Sequence, residues 1–279
     1  MTLDGRGLGE LARRLTGVGG VVGVMLGGSR ARGEHAPDSD TDLGVYYRGE
    51  LDVAALGELA REVAGPRATV TAPGGWGPWV DGGGWLTIGG AAVDWIYRDL
   101  DRVLECWRGA VAGRFDFHAQ VGHPLGFPDF AYPGEVALGV VLADPGGRLT
   151  ELQSQARTYP PALGKALVAR LWEAGFALRT ARKAVNRGDT AYVAGCLFRA
   201  VGLCAHALCG YAGRWVVNEK GLVATAARLP GAPPGFAERA HGVVAHLGTS
   251  PAGLTAAIDR AGELVADTGR AVGAPPVPS

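Results

Sequence analysis

The chain has 279 residues, enough for one large domain or two ordinary ones, and its 27 basic residues balance 27 acidic ones. Zero net charge is a poor basis for gripping nucleic acid or an anionic membrane by bulk electrostatics. Hydrophobic residues at 47% and charged ones at 19% exclude disorder, and 46 glycines and 17 prolines without a repeat period exclude a collagen-like chain.

Residues 8–15 have the spacing of a short amphipathic helix. Arg13 and Arg14 followed by the apolar run 18–26 imitate a secretory leader, but three glycines interrupt that run and no small-x-small site follows it. It reads as a buried strand over 21–26 that ends in a tight turn at Gly27 and Gly28. A second strand is expected at 43–47 and a helix at 53–64, stopped by Gly65-Pro66. A stretch rich in Gly and Trp follows, with Trp76, Trp79 and Trp85, and reads as hairpin-like strands and loops. A third strand is expected at 92–97 and a helix at 100–111.

The character changes near residue 130. The segment 117–130, with His118 and His123, reads as a loop. Helices are then expected at 135–143, 161–186, 190–211, 219–229, 235–247 and 252–272. Asp189 suits an N-cap, and Ser250-Pro251 opens the last helix. Residues 191–212 are almost wholly apolar, but Arg199 and His206 break them into pieces too short to span a bilayer. The four cysteines contain no CxxC pair, which leaves neither a disulfide framework nor a structural zinc site to expect. The expected plan is α+β: a mixed-sheet α/β domain over 1–130, then an all-helical bundle over 131–279, in a soluble, cytoplasmic protein.

The chemistry is concentrated in Gly27-Gly28-Ser29-Arg30-Ala31-Arg32-Gly33, followed by Asp40-Thr41-Asp42. A glycine turn after a buried strand lets backbone approach a phosphate, and a serine hydroxyl can donate to it. Asp40 and Asp42 are two apart at the start of a strand, so both carboxylates should point to one face. Two adjacent carboxylates repel, and a divalent cation between them relieves the repulsion. Asp94 sits in the otherwise apolar run Val93-Asp94-Trp95-Ile96, where a carboxylate is costly unless it is paired or ligates a metal. An ordinary acidic turn and a solvent-facing edge strand are the plain alternatives for these acids.

Gly28-Ser29, Asp40-Thr41-Asp42 and the later Asp94 together resemble the polymerase-β-like nucleotidyltransferase superfamily. Within it the chain is similar to the bacterial minimal and antibiotic-modifying branch, which adds a helical C-terminal domain. The resemblance covers residues 20–100 most specifically. It implies that Gly28, Ser29 and Arg32 hold the triphosphate of a nucleotide. It also implies that Asp40, Asp42 and Asp94 bind two Mg²⁺ ions. Asn218-Glu219-Lys220-Gly221 is similar to a lysine-bearing turn that such enzymes place over the triphosphate, which makes Lys220 a nucleotide-binding candidate. A helical glutamate, Glu135 or Glu173, is a further candidate base.

The activity implied is transfer of a nucleoside monophosphate, AMP first, from ATP or another NTP to a hydroxyl of a small, antibiotic-like molecule. Nucleic acid and membrane are not expected partners, and a homodimer is left open by relatives that dimerise. The alternatives are transfer to a protein or tRNA, as in toxin–antitoxin nucleotidyltransferases, and a non-catalytic nucleotide-binding module.

Overall fold

A computed structural model describes residues 5–33 and 39–275. The chain divides into two compact units, Met1–Gly109 with Asp116–Thr158 and Ala110–Phe115 with Tyr159–Ser279.

The first unit runs α1 (Gly5–Leu15), β1 (Val21–Leu26), α2 (Gly28–Arg32), β2 (Thr41–Tyr47), α3 (Val53–Ala64), β3 (Gly83–Ile88) and β4 (Ala91–Asp99). It continues through α4 (Leu100–Val111), whose last turn passes into the second unit, β5 (Phe117–Gln120), β6 (His123–Pro128), α5 (Ala131–Leu138), β7 (Val140–Ala143) and α6 (Arg148–Ala156). Five strands form one mixed sheet in the order β3-β4-β2-β1-β7. Only β2 and β4 are parallel, and α3 lies in the crossover that a parallel pair requires. Asp52 caps α3 by accepting from the Ala55 N–H at 2.9 Å.

The sheet has two unlike faces. Strand alternation puts Leu43, Val45, Val93, Trp95, Tyr97, Leu86 and Ile88 on one side, in a core with Leu11 and Leu15 of α1 and Leu56 and Leu59 of α3. The residues between them, Asp42, Tyr46, Asp94 and Arg98, point to the other side. That second face is where the acids gather.

The strand over 140–143 corrects the expected helix at 135–143. The helix ends at Leu138, and Gly139 turns the chain into β7, which pairs antiparallel with β1. The apolar run Val-Val-Leu-Ala suits either state, and the vacant edge of β1 decides it. Since β7 completes this sheet and α5 packs on α6, the first unit extends to residue 158 rather than 130. The segment 117–130 is an antiparallel hairpin, β5 with β6, rather than a loop. Helix α6 was not expected at all.

The second unit contains α7 (Pro161–Ala169), α8 (Trp172–Ala184), α9 (Thr190–Tyr211), α10 (Leu222–Ala227), α11 (Phe236–Ala245) and α12 (Pro251–Val272). The expected helix over 161–186 is two helices, broken at Arg170-Leu171, where the hydrogen bonds tighten to the i−3 carbonyl. Asp189 and Ser250 cap α9 and α12 through Tyr192 N–H and Gly253 N–H. Helix α9 is long and apolar enough to cross a membrane by length and composition, but it is mostly buried against α7, α8, α10 and α12. It is the central helix of the bundle, with Leu197, Ala200, Cys204 and Ala207 fully enclosed.

Candidate active site

The first acidic element is local. β1 ends at Leu26, and Gly27 N–H donates to the Asp42 carbonyl across the β1–β2 pair at 2.8 Å. Gly28 then turns the chain with φ +62 into the single-turn helix α2, which Gly33 ends in the left-handed conformation. A Cβ on Gly28 would stand 1.8 Å from Asp42 Oδ2. Glycine is therefore required twice, by its backbone angle and by the carboxylate packed against it. Ser29 follows, half-buried, in the same turn.

Arg30 and Arg32 both bind the turn and the acidic segment. Arg30 donates from Nη2 to the Ser39 carbonyl at 2.6 Å and from Nε to the Asp40 carbonyl at 3.2 Å. Arg30 thus fixes the entry to β2, a role the sequence did not suggest. Arg32 folds back, Nη1 donating to the Gly28 carbonyl at 2.9 Å, and its charge favours ionised Asp42.

Asp42 and Asp94 stand at the same register of the parallel β2–β4 pair, so their side chains share one face. The strand begins at Thr41, so Asp40 lies one residue outside it, exposed at the edge of the same group. Burial pushes the Asp94 carboxyl up to about 6, with the charges of Asp42 and Asp40 adding to the rise. Burial, Asp40 and Glu135 likewise raise Asp42, against the pull of Arg32 and Arg98. Asp94 thus feels both other acids, and Asp42 feels Asp40.

The expected three-carboxylate cage is nevertheless not closed. Among the described residues no three His, Cys, Asp or Glu side chains converge closely enough to hold a metal ion. Burial first and neighbouring carboxylate charge second make Asp42 and Asp94 costly as bare anions. The donor set itself, hard oxygen ligands only, fits Mg²⁺.

Arg98 and Glu135 form the floor of this face. Arg98 follows Asp94 by four residues on β4 and is almost fully buried. Its guanidinium grips Glu135 of α5 through two bonds, 2.6 Å from Nε and 2.8 Å from Nη2. It also lies 5.3 Å over the ring of Tyr132. Both Glu135 oxygens are thereby engaged by Arg98. Glu173 is likewise bound, to Arg170 and Arg199 in the second unit, and its carboxyl is held below the usual range by these partners against the opposing effect of burial. Lys220 also belongs to the second unit, exposed in the turn before α10, where its N–H donates to Asn218 Oδ1 at 2.9 Å.

The tryptophans separate into two settings. Trp79 is packed on His118, ring centroids 3.7 Å apart, with Arg102 over its other neighbourhood at 5.4 Å. His118 is held in turn by Asp129 at 3.3 Å, which accounts for both as structural. Trp85 stacks on Trp76 and faces Asp94 across the β3–β4 pair.

Residues 8–69 match the family model described as the nucleotidyltransferase domain. That match includes Gly28, Ser29, Asp40 and Asp42; Asp94 lies beyond it and rests on its register with Asp42. Among solved structures, a nucleotidyltransferase-like protein from Exiguobacterium sibiricum 255-15 is similar at 13% identity and a TM-score of 0.45. The likeness covers 91% of this chain and 72% of that one. No curated protein matches the sequence.

Proposed function

We propose that this chain, whose residues 8–69 match the nucleotidyltransferase domain, moves a nucleoside monophosphate from an NTP to a hydroxyl of a small molecule. The observation that supports this best is the row of Gly28, Asp42 and Asp94 across the three adjacent strands β1, β2 and β4. A turn suited to phosphate stands beside two carboxylates that both remain raised by burial and neighbouring negative charge.

In this reading Gly28 and Ser29 receive the triphosphate, and Arg32 meets its outer charge. Mg²⁺, two ions by family resemblance, would be held by Asp40, Asp42 and Asp94 and would neutralise the triphosphate and the departing pyrophosphate. Asp94 orients the acceptor hydroxyl and takes its proton. The acceptor oxygen then bonds to the α-phosphorus as the bond to the pyrophosphate oxygen breaks. Arg98, fixed by Glu135, keeps the floor of the face rigid and limits how far the Asp42 pKa rises. AMP from ATP is the first donor to test, and a neutral or cationic acceptor suits an acidic row better than an anionic one.

The test is release of pyrophosphate from each of ATP, GTP, CTP and UTP with Mg²⁺ and a panel of hydroxylated small molecules, with mass spectrometry of the acceptor. A mass increase by one nucleoside monophosphate, absent in Asp42→Asn, is the expected result. Pyrophosphate-free mixtures throughout, with nucleotide bound, would favour a non-catalytic nucleotide-binding module.

A further inference from the structure

Trp85 is 72% exposed on the edge strand β3, on the same face as Asp94, which is its direct cross-strand partner. The two-residue turn Gly89-Gly90, with φ +61 and +86, closes the β3–β4 hairpin and sets that register. Exposure here does not mean looseness. The Trp85 indole stacks on Trp76 at 4.4 Å between centroids with the planes 14° apart. Trp76 is itself fixed. Gln120 Nε2 donates to its carbonyl at 2.7 Å, and Gln120 Oε1 accepts from the N–H groups of Trp79 and Val80 at 2.9 and 3.0 Å. The far end of the same loop is held by Asp81, which accepts from Gly74 N–H at 3.0 Å and from the Tyr47 hydroxyl at 2.5 Å. A Cβ on Gly83 would meet the Trp95 carbonyl oxygen at 1.8 Å first and the Trp76 ring at 2.9 Å, so glycine is required there by the β4 backbone and also leaves space beside the stack.

The strand order places this stack. Across β3-β4-β2-β1 stand Trp85, Asp94, Asp42 and the Gly28 turn, each about 4.8 Å from the next in the hydrogen-bonding direction. The phosphate turn and the indole therefore flank the acid pair on opposite sides. A triphosphate held at Gly28 leaves the Trp85 side to the other substrate.

We propose that Trp85, backed by Trp76, is the acceptor platform, and that it stacks a planar aromatic ring that carries the hydroxyl to be modified. This rests on the nucleotidyltransferase reading and adds to it the class of acceptor. The ring lies flat on the indole, and its hydroxyl oxygen reaches the neighbouring Asp94. That oxygen forms the new bond to the α-phosphorus, its proton leaves to Asp94, and pyrophosphate departs with the electron pair of the bond that breaks. Gln120 acts as a positioning residue through the Trp76 loop.

The test uses the full chain with MgATP and a matched pair of probes, 2-naphthol and its saturated counterpart decahydro-2-naphthol, titrated calorimetrically. The expected result is that the wild type prefers the aromatic probe and that Trp85→Ala weakens 2-naphthol about fivefold or more. Trp85→Phe should restore most of that binding, while MgATP affinity stays within about twofold of wild type in both variants. Because Trp85 is exposed, neither variant removes core, and circular dichroism checks the fold. Equal binding of 2-naphthol by wild type and Trp85→Ala, with MgATP bound normally, overturns the platform and leaves the nucleotide site standing. A loss of MgATP affinity in Trp85→Ala also overturns it, since the indole would then hold the nucleobase. No MgATP binding by the wild type overturns this inference together with the reading on which it rests.

Discussion

Asp42 and Asp94 are direct neighbours at one register of a parallel strand pair, and Asp42 Oδ2 packs against the α-carbon of Gly28. Two carboxylates and a glycine turn are thereby fixed by backbone pairing, before any side chain has chosen a rotamer. Substitution of either acid by its amide keeps shape and volume but removes the charge. Asp42→Asn and Asp94→Asn should each lower transfer by at least about 10²-fold with an unchanged far-ultraviolet spectrum. Single-turnover product formation, measured beside circular dichroism, checks this.

Burial of Asp94, with the charges of Asp42 and Asp40 added to it, predicts a stability effect of opposite sign. Asp94 titrates at about 6 in the folded chain against 3.8 for a free carboxyl. The folded state therefore holds a proton that the unfolded state has released, so stability is fully present below about 4 and is lost as pH rises through about 6. In metal-free protein Asp94→Asn should remove that fall and raise the melting temperature at pH 7.5 relative to wild type. Added Mg²⁺ should raise the wild type at pH 7.5 and leave the variant nearly unmoved. Melting curves at pH 4.5, 6 and 7.5, with and without Mg²⁺, read all three effects.

Gly28→Ala meets two obstacles, a positive φ and the Asp42 carboxylate at 1.8 Å. The expected cost is about 1–3 kcal/mol of stability and at least a tenfold loss in kcat/KM, because relief of the clash moves Asp42. Urea unfolding together with steady-state kinetics separates the two.

Arg98 and Glu135 are an ion pair, the arginine buried and the glutamate partly so, whose members depend on each other. Arg98→Met alone strands Glu135 beside Asp42 and should cost about 3 kcal/mol or more, while Arg98→Met with Glu135→Leu should recover much of it. A double-mutant cycle by urea unfolding measures the coupling.

In the helical unit, His206 is enclosed on α9, and burial pushes it down to about 3 from 6.5. Its folded pKa is depressed, so the unfolded chain takes up the proton first, and stability falls as pH drops below 6.5. The slope from this one group is at most about 1.4 kcal/mol per pH unit. His206→Leu should flatten the acid limb of a melting-temperature profile between pH 6 and 4.

The parts legible in sequence were those governed by local chemistry. Helix α3 and helix α9 begin and end where expected because Asp52 and Asp189 are working caps and Gly65 is a stop. The alternation around Asp42 and Asp94 was readable because a strand's period of two separates an acid from its apolar neighbours. What was not readable depends on distant partners. Val140–Ala143 is a strand because β1 has a free edge, and no residue in the run says so. The break at Arg170-Leu171 carries neither Gly nor Pro. Glu135 could be named as an acid but not as the partner of Arg98, 37 residues away. The Trp85–Asp94 pairing had a local signal, the Gly89-Gly90 turn, from which the register follows by counting outward.

The most direct test of the central claim is calorimetric titration of ATP, GTP, CTP and UTP, each with and without Mg²⁺, into the wild type and Asp42→Asn. The account predicts Mg²⁺-dependent binding of at least one nucleotide to the wild type and its loss in the variant. Binding of equal strength in Asp42→Asn, or binding indifferent to Mg²⁺, would contradict the assignment of the acid row as a metal-assisted nucleotide site.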